Sequence, residues 1–386
     1  MNKRKIINDP VYGFTTIPDE LSHDLIQHPW FQRLRRIRQL GLTEYVYPGA
    51  THSRFQHALG AQHLMTLAIQ RLRSKGHEIT EQEAQGAQIA ILLHDIGHSP
   101  FSHALEKKII GIEHEAISEA FMQVLNDEYN GQLSEAIRIF KGTHKKKYLH
   151  QLVSGQLDLD RMDYLNRDSF YTGVAEGVIG YERIINMINV FDNQLVVEEK
   201  GLFSIEKFLQ ARRIMYWQVY LHHTVLAAEK MLIEWFDLVI QDPPMQKSIT
   251  NILRLKSLSL QEMHSKKMLS IFSNIDDTDI LFALKTSLTR SRNPHIRVLS
   301  EGLLNRSLFK CEVSEKKFSN KTIVSFKKNA KHPDLLFTGK ESNSGYVSNL
   351  NEIMILQKNQ KIIPLSEALG HEFLSKIEIK HYLIHK

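Results

Sequence analysis

Between Pro29 and Gly41 the apolar residues Phe31, Leu34, Ile37 and Leu40 recur every third position, with Arg33, Arg35, Arg36 and Arg38 between them. That spacing predicts a short amphipathic helix with a basic side, closed by Gly41. After the turn-like Tyr47-Pro48-Gly49, a helix is expected from about Ser53 to Arg73. Thr80-Glu81-Gln82-Glu83 has the form of a capping box, in which the side chains of Thr80 and Glu83 each accept from the other's backbone amide. The residues it introduces, Ala84 to Leu93, grow steadily more apolar, as a helix does on entering a core, and the run ends at His94. Further helices are predicted at 113–126, 157–168, 204–236 and 260–272, with a small hairpin at Gln194–Glu199 and Gly201 behind it. From about residue 308 the texture changes, because Lys321–Lys328 and Lys376–Ile384 alternate or carry β-branched residues, as half-buried strands do. The expected architecture is mainly α, with a helical domain over 1–300 and a smaller C-terminal α+β lobe over 301–386.

Composition adds limits. A chain of 386 residues exceeds one typical core, and 42% apolar with 24% charged residues excludes a disordered chain. The net charge of +6 suits a polyanionic partner, either a phosphorylated small molecule or nucleic acid. Cys311 is the only cysteine, which excludes an internal disulfide and a thiolate metal cluster and points to a reducing compartment. No uncharged apolar run reaches membrane-spanning length, and the start MNKRKIINDP has no signal-peptide core, so a soluble cytoplasmic protein without membrane association is expected. The run His144–Lys147 reads as a solvated loop. Histidine, at 20 copies, is the unusual component.

Three of those histidines fall in HDIGHSPFSH, residues 94–103. His94 and Asp95 stand where a buried helix ends, and imidazole with carboxylate suits a divalent ion such as Mn, Fe, Zn or Ni. Adjacent residues leave a helix roughly 100° apart, so both reach one ion only beyond the helix end, where the helix-breaking Gly97 makes room. By itself the pair reads more readily as a capped helix end than as a ligand pair. Arg54-Phe55-Gln56-His57 adds an imidazole beside a phosphate-type cation, and Asp160, Tyr164 and Asp168 follow at four-residue spacing on one helix face. That face alone also reads as a solvated acidic stripe.

Taken together, His57, the His94-Asp95 pair and the distant Asp160 resemble the pattern of the HD-domain metal-dependent phosphohydrolases. Within them the chain is similar to the deoxynucleoside triphosphate triphosphohydrolases of the sterile-alpha-motif-and-HD type. The resemblance runs through Lys5–Gly13, Phe31–Arg35, Tyr47–His57, HDIGHSPFSH, Asp160–Asp168, Tyr220-Leu221-His222 and Arg306–Lys310. It begins at residue 5, so no sterile-alpha-motif module is expected ahead of it. It implies an HD-domain helical core over about 50–170, in which His57, His94, Asp95 and Asp160 hold one divalent ion, with Mg on the substrate phosphates as a further candidate.

The same resemblance places His98, His103 and His114 around the phosphates, with His103 or His114 as general acid or base and Glu115 orienting His114. It assigns Arg54, Arg161 and Tyr164 to phosphates, Arg212 and Tyr220 to further substrate contacts, and Gln39 and Asp168 to the sugar 3′-hydroxyl. Arg161 stands where relatives can carry Lys, a swap that keeps charge and changes donor geometry. Lys5, Asn8, Gln27, Gln32, Arg35, Arg306 and Lys310 match nucleotide-effector positions and read equally as a subunit interface. Gln27 replaces an aspartate that reads guanine, which argues against a guanine-specific effector. The implied partners are a dNTP substrate, a nucleotide effector and further copies of the chain in a homodimer or homotetramer. Two other readings compete: the same metal site acting on a nucleoside monophosphate, cyclic dinucleotide or guanosine polyphosphate, and a nucleic-acid binder using Arg33, Arg35, Arg36 and Arg38.

Overall fold

The computed structural model describes residues 5–256, 258–344, 352–369 and 377–386. Seven helices frame the centre: α1 (Arg54–Ser74), α2 (Glu81–Leu93), α3 (His103–Ile109), α4 (His114–Glu128), α5 (Leu159–Thr172), α6 (Leu202–Met215) and α7 (His223–Val239). The Thr80–Glu83 box at the start of α2 is formed in both directions, at 3.2 and 2.9 Å. Both α1 and α2 are buried on almost every side, through residues such as Leu64, Met65, Ala68, Ile89 and Leu92. Gly60 lets α5 lie close against α1. A Cβ on Gly60 would collide with the Asp163 carboxylate and the Arg167 guanidinium, so glycine here is required by approach.

Small sheets complete the molecule. Strands β1 (Ile6–Asp9) and β2 (Gly13–Thr16) form an antiparallel hairpin. The hairpin expected at 194–199 is the second half of β3 (Ile188–Phe191) and β4 (Gln194–Glu198), turned by Asp192 and Asn193 at positive φ. Late in the chain come β5 (Lys310–Ser314), β6 (Phe337–Ser344), β7 (Met354–Leu356), β8 (Ile362–Pro364) and β9 (Ile377–His385). β9 lies between β5 and β6 and covers the strand expected from 376, residue 376 itself lying outside the described residues. β7 pairs in parallel with β4, Val196 opposite Met354, so hydrogen bonding crosses the division expected near residue 300.

Four expectations are corrected. Lys321–Lys328 is helical, within Asn320–Asn329, because Ser319 caps the Thr322 amide and Ile323 and Phe326 share a helical side. The helix expected from Pro29 to Gly41 is one α-turn, Pro29–Gln32, followed by a 3₁₀ turn, Arg33–Arg36. It stops because the next amides bond elsewhere: Arg38 to Asp277 at 3.0 Å and Gln39 to the His52 carbonyl at 3.0 Å. The 204–236 run is divided between α6 and α7 by a π-helical turn, Tyr216–Tyr220, and the His222 ring caps the Thr224 amide. The 260–272 run is likewise two helices, Leu260–Met263 and Lys266–Ser273, each with its own serine cap.

Within α7, burial pushes the Glu229 carboxyl up to about 7, with Lys230 opposing and Glu341 adding to the rise. A raised folded value favours the neutral acid, so this stabilisation is complete at low pH and is lost as pH rises through 7. Glu229→Gln is therefore expected to match the parent's stability near pH 4 and exceed it at pH 8, by roughly 1–3 kcal/mol. Parallel melting curves across that range measure it, and a Gln variant that is less stable at pH 8 would contradict the account.

Candidate active site

α2 ends at His94, whose Nδ1–H donates to the Ile91 carbonyl at 2.6 Å, leaving Nε2 with a free lone pair. On α1 the His57 Nδ1–H donates to Asp163 at 2.7 Å, which fixes the same tautomer. The two Nε2 atoms face each other at 3.4 Å, and Asp160 Oδ1 from α5 lies 3.1 and 3.5 Å from them. Asp95 adds Oδ1 at 3.3 Å from His94 Nε2 and Oδ2 at 3.6 Å from His57 Nε2. Electron pairs from four side chains thus converge with no donor between them.

Such a set demands a cation. Burial pushes the His57 imidazole down, yet hydrogen bonding to Asp160 and Asp163 outweighs it and lifts the ring to about 10. His94 is likewise raised against its burial, by Asp95 and Asp160. A proton is the smallest cation that answers the geometry, and a divalent ion with oxygen and nitrogen ligands fits the same donors. His57, His94 and Asp160 have ligand atoms mutually within 4.8 Å. Asp95 borders them, held well below the usual carboxylate range because Arg54, His94 and His98 outweigh its burial.

The turn after His94 is held against α4. Gly97 donates its amide to Ser118 Oγ at 3.0 Å, and that hydroxyl donates to the His94 carbonyl at 2.6 Å. A Cβ on Gly97 would sit 2.6 Å from the Ser118 nitrogen. The glycine thus serves close packing. Beyond it Phe101 and Ser102 adopt positive φ, near 55°, and are pinned: Phe101 N donates to Asp277 at 2.7 Å, and Ser102 Oγ lies between Arg54 Nε at 2.8 Å and the Arg38 carbonyl at 2.6 Å.

On the far side of Asp95 stands a histidine group. His98 is buried, its Nε2 is 3.2 Å from Asp95 Oδ1, and its ring stacks on His114 with centroids 3.7 Å apart. Burial, then Arg54, hold the His98 imidazole well below its ordinary value, so it is neutral at neutral pH. His103 and His114 both donate Nδ1–H to Glu106, at 3.0 and 2.9 Å. Those hydrogen bonds outweigh the burial of Glu106 and keep it ionised. Glu115, expected to orient His114, is 62% exposed with its oxygen 3.4 Å from the ring, whereas Glu106 is 4% exposed and also accepts the His114 amide at 2.7 Å. His98, His103, Glu106 and His114 also have ligand atoms within 4.8 Å, but here the carboxylate is committed to orienting two rings.

The remaining candidates divide by location. Asp160, Tyr164 and Asp168 do share a face of α5, and the Tyr220 hydroxyl donates to Asp168 Oδ2 at 2.8 Å. Arg54 is buried in an ion pair with Asp95. Arg161 turns back onto Asp158 and the Gly155 carbonyl, with its Nε buried and unpartnered, and Arg212 reaches Gln156 at 3.4 Å. Of the effector candidates, Lys5 and Asn8 lie at the N-terminal hairpin, Gln27 is exposed, and Gln32 accepts from Arg35 at 2.8 Å. Arg306 donates to the Tyr45 carbonyl at 2.8 Å and Lys310 pairs with Glu312 at 2.8 Å.

The arginines of the proposed phosphate patch each have a partner within the chain, although Arg35 and Arg36 remain exposed. Arg33 is buried over Phe272, Arg36 pairs with Asp276, Arg38 pairs with Glu44, and Arg35 lies on the Phe55 ring. Sequence reasoning also missed the support behind His57. Asp163 accepts from Arg167 at 2.9 Å through each oxygen, and Arg167 donates to Asp9 on β1 at 2.9 Å. The Asp163–Arg167 spacing of four on a helix, opposite a glycine, was the available signal.

Residues 54–168 match the HD domain family and residues 179–267 match the HD associated region. The crystal structure of a phosphohydrolase from Bacteroides thetaiotaomicron VPI-5482 matches over 100% of both chains, with TM-score 0.90 and 44% identity. The chain belongs to the HD-domain phosphohydrolases. This HD phosphohydrolase is 37% identical over 239 residues to the uncharacterized protein YwfO of Bacillus subtilis, covering 60% of this chain and 55% of that relative. It is 33% identical over 255 residues to the deoxynucleoside triphosphate triphosphohydrolase SAMHD1 homolog of Dictyostelium discoideum, covering 60% of this chain and 49% of that one. The chain thus spans about half the length of these curated relatives. Among the described residues of the HD phosphohydrolase, no helix is long and apolar enough to cross a membrane.

Proposed function

We propose that this HD phosphohydrolase hydrolyses deoxynucleoside triphosphates to a deoxynucleoside and inorganic triphosphate. The observation that carries the reading is the single face of α5, which joins the metal-type cluster to a buried acceptor for a sugar. Asp160 belongs to the cluster, and Asp168, two turns further on, is bonded to Tyr220. Eight residues of helix span about 12 Å, room for an α-phosphate and its sugar. The similarity to a named triphosphohydrolase from Dictyostelium discoideum supports the same substrate class.

A divalent ion held by His57, His94, Asp95 and Asp160 supplies Lewis acidity toward a phosphoryl oxygen. Water attacks the α-phosphorus and gives up a proton to solvent, the bond from phosphorus to the 5′-oxygen breaks, and that oxygen leaves with a proton. The imidazolium of His103 or His114, backed by the Glu106 carboxylate, is the donor of that proton. His98, neutral and packed on His114, lines the phosphate side. Arg54 keeps Asp95 in place and adds positive charge, while Arg161, Tyr164, Arg212 and Tyr220 supply cations and hydroxyls to triphosphate and nucleoside. Asp168 accepts from the sugar 3′-hydroxyl, and the Gln39 amide donates to that hydroxyl's oxygen. Lys5, Asn8, Gln27, Gln32, Arg35, Arg306 and Lys310 are assigned to an effector site or to contacts within a homodimer or homotetramer.

A panel of the four dNTPs, their ribonucleotide counterparts, nucleoside monophosphates and cyclic dinucleotides tests the reading. Release of tripolyphosphate from dNTPs in an ion-loaded preparation is expected. Orthophosphate as the only inorganic product, or turnover confined to monophosphates or cyclic dinucleotides, would refute it.

A further inference from the structure

Asp168 is gripped from both sides. Tyr220 occupies Oδ2, and on Oδ1 the His52 Nε2 lies at 2.7 Å, its side chain wholly buried. An ionised carboxylate only accepts, so His52 must donate Nε2–H. The ring is fixed from several directions. It stacks on Tyr171 with centroids 4.5 Å apart and planes 16° from parallel, and the Tyr171 hydroxyl accepts from Gln56 at 2.8 Å. Gln56 in turn completes the capping box that starts α1. The His52 carbonyl accepts the Gln39 amide at 3.0 Å. Two buried atoms here have no partner, Gln39 Oε1 and His52 Nδ1.

We propose that His52 is the positioning residue that fixes Asp168 as the acceptor for a free sugar 3′-hydroxyl, and so sets the enzyme's selection for that hydroxyl. The proposal rests on the dNTP reading above. With one lone-pair position on each oxygen taken by His52 and Tyr220, the carboxylate cannot turn about its last bond and still keep both donors. Its remaining positions are aimed acceptors, which a hydroxyl satisfies and a 3′-hydrogen leaves unpaired. A 3′-phosphate would bring negative charge against a buried carboxylate. Gln39, on the segment tied to His52 by its backbone, has its side-chain Oε1 unpartnered, and its amide can turn to donate to the oxygen of the same hydroxyl. Leaving such buried groups unpaired is what makes a site reject a substrate lacking a hydroxyl.

The test compares kcat/KM for the best dNTP and its 2′,3′-dideoxy analogue, read as tripolyphosphate release by the ion-loaded enzyme. The parent is expected to prefer the 3′-hydroxyl by roughly 100-fold or more. In His52→Asn, whose shorter amide does not reach Asp168, the preference is expected to collapse to within a few-fold, the dNTP losing rate while the dideoxy analogue is nearly unchanged. His52→Gln, whose amide reaches about as far as Nε2, is expected to restore much of it. Both variants are polar and smaller than histidine, so a packing defect would affect them alike, and their melting points are recorded beside the rates. Equal losses on both substrates, or equal preference in the Asn and Gln variants, overturn the role of His52 while leaving the dNTP reading intact. Absence of tripolyphosphate release from every dNTP by the parent overturns both.

Discussion

Purified His94→Ala and Asp160→Ala proteins are expected to contain little or no divalent ion and to show no measurable turnover. Each change deletes one of the three residues, His57, His94 and Asp160, whose ligand atoms lie within 4.8 Å of one another. Each also leaves a neighbour exposed to an unbalanced charge, because Asp160 lies 3.1 Å from His57 and 3.5 Å from His94. The measurement is elemental analysis of the protein as isolated and after incubation with Mn, Fe, Zn or Ni, paired with the nucleotide assay. Asp163→Asn should behave differently. It keeps every ligand but removes the carboxylate that fixes the His57 tautomer, and roughly 10–100-fold weaker ion binding is expected. An Asp160→Ala protein that retains a stoichiometric ion would remove Asp160 from the ligand set.

Glu106→Gln is expected to lower kcat by roughly 10²–10⁴-fold with the ion content and melting point little changed. One carboxylate there accepts from His103 and His114 together, and an amide, with a single carbonyl oxygen, cannot hold both rings in the same way. Glu115→Gln is the control, since that side chain is largely in solvent and is expected to cost only a few-fold. If Glu115→Gln were as damaging as Glu106→Gln, the orienting role would belong to Glu115. Loss of the ion from Glu106→Gln would instead assign the carboxylate to ligation.

The four donors were legible because each stands in a short motif with its own context: Arg54-Phe55-Gln56-His57, His94-Asp95, and the helix carrying Asp160. The α5 face was legible for the same reason, since helical periodicity is local. Glu106, Asp163 and His52 were not, because their meaning depends on what the fold sets beside them. Asp163 has its partners 106 positions away in His57 and, through Arg167, at Asp9. The His52–Asp168 contact spans 116 positions. The arginine stripe misled in the opposite direction. Its three-residue spacing was real, but some 240 residues later Asp276 took up the Arg36 charge and Asp277 drew the Arg38 amide out of helix. At Lys321–Lys328, side chains with strand preference proved weaker than a serine cap and helical pairing of Ile323 with Phe326.

The buried series Asp9, Arg167, Asp163, His57 has a consequence for assembly. Its outermost link closes a loop of 158 residues, and its innermost link sets the tautomer through which His57 can bind an ion. A chain that has collapsed without seating its first hairpin keeps a buried guanidinium with one carboxylate fewer. Seating of the N-terminal hairpin and the setting of His57 are therefore coupled through one buried series.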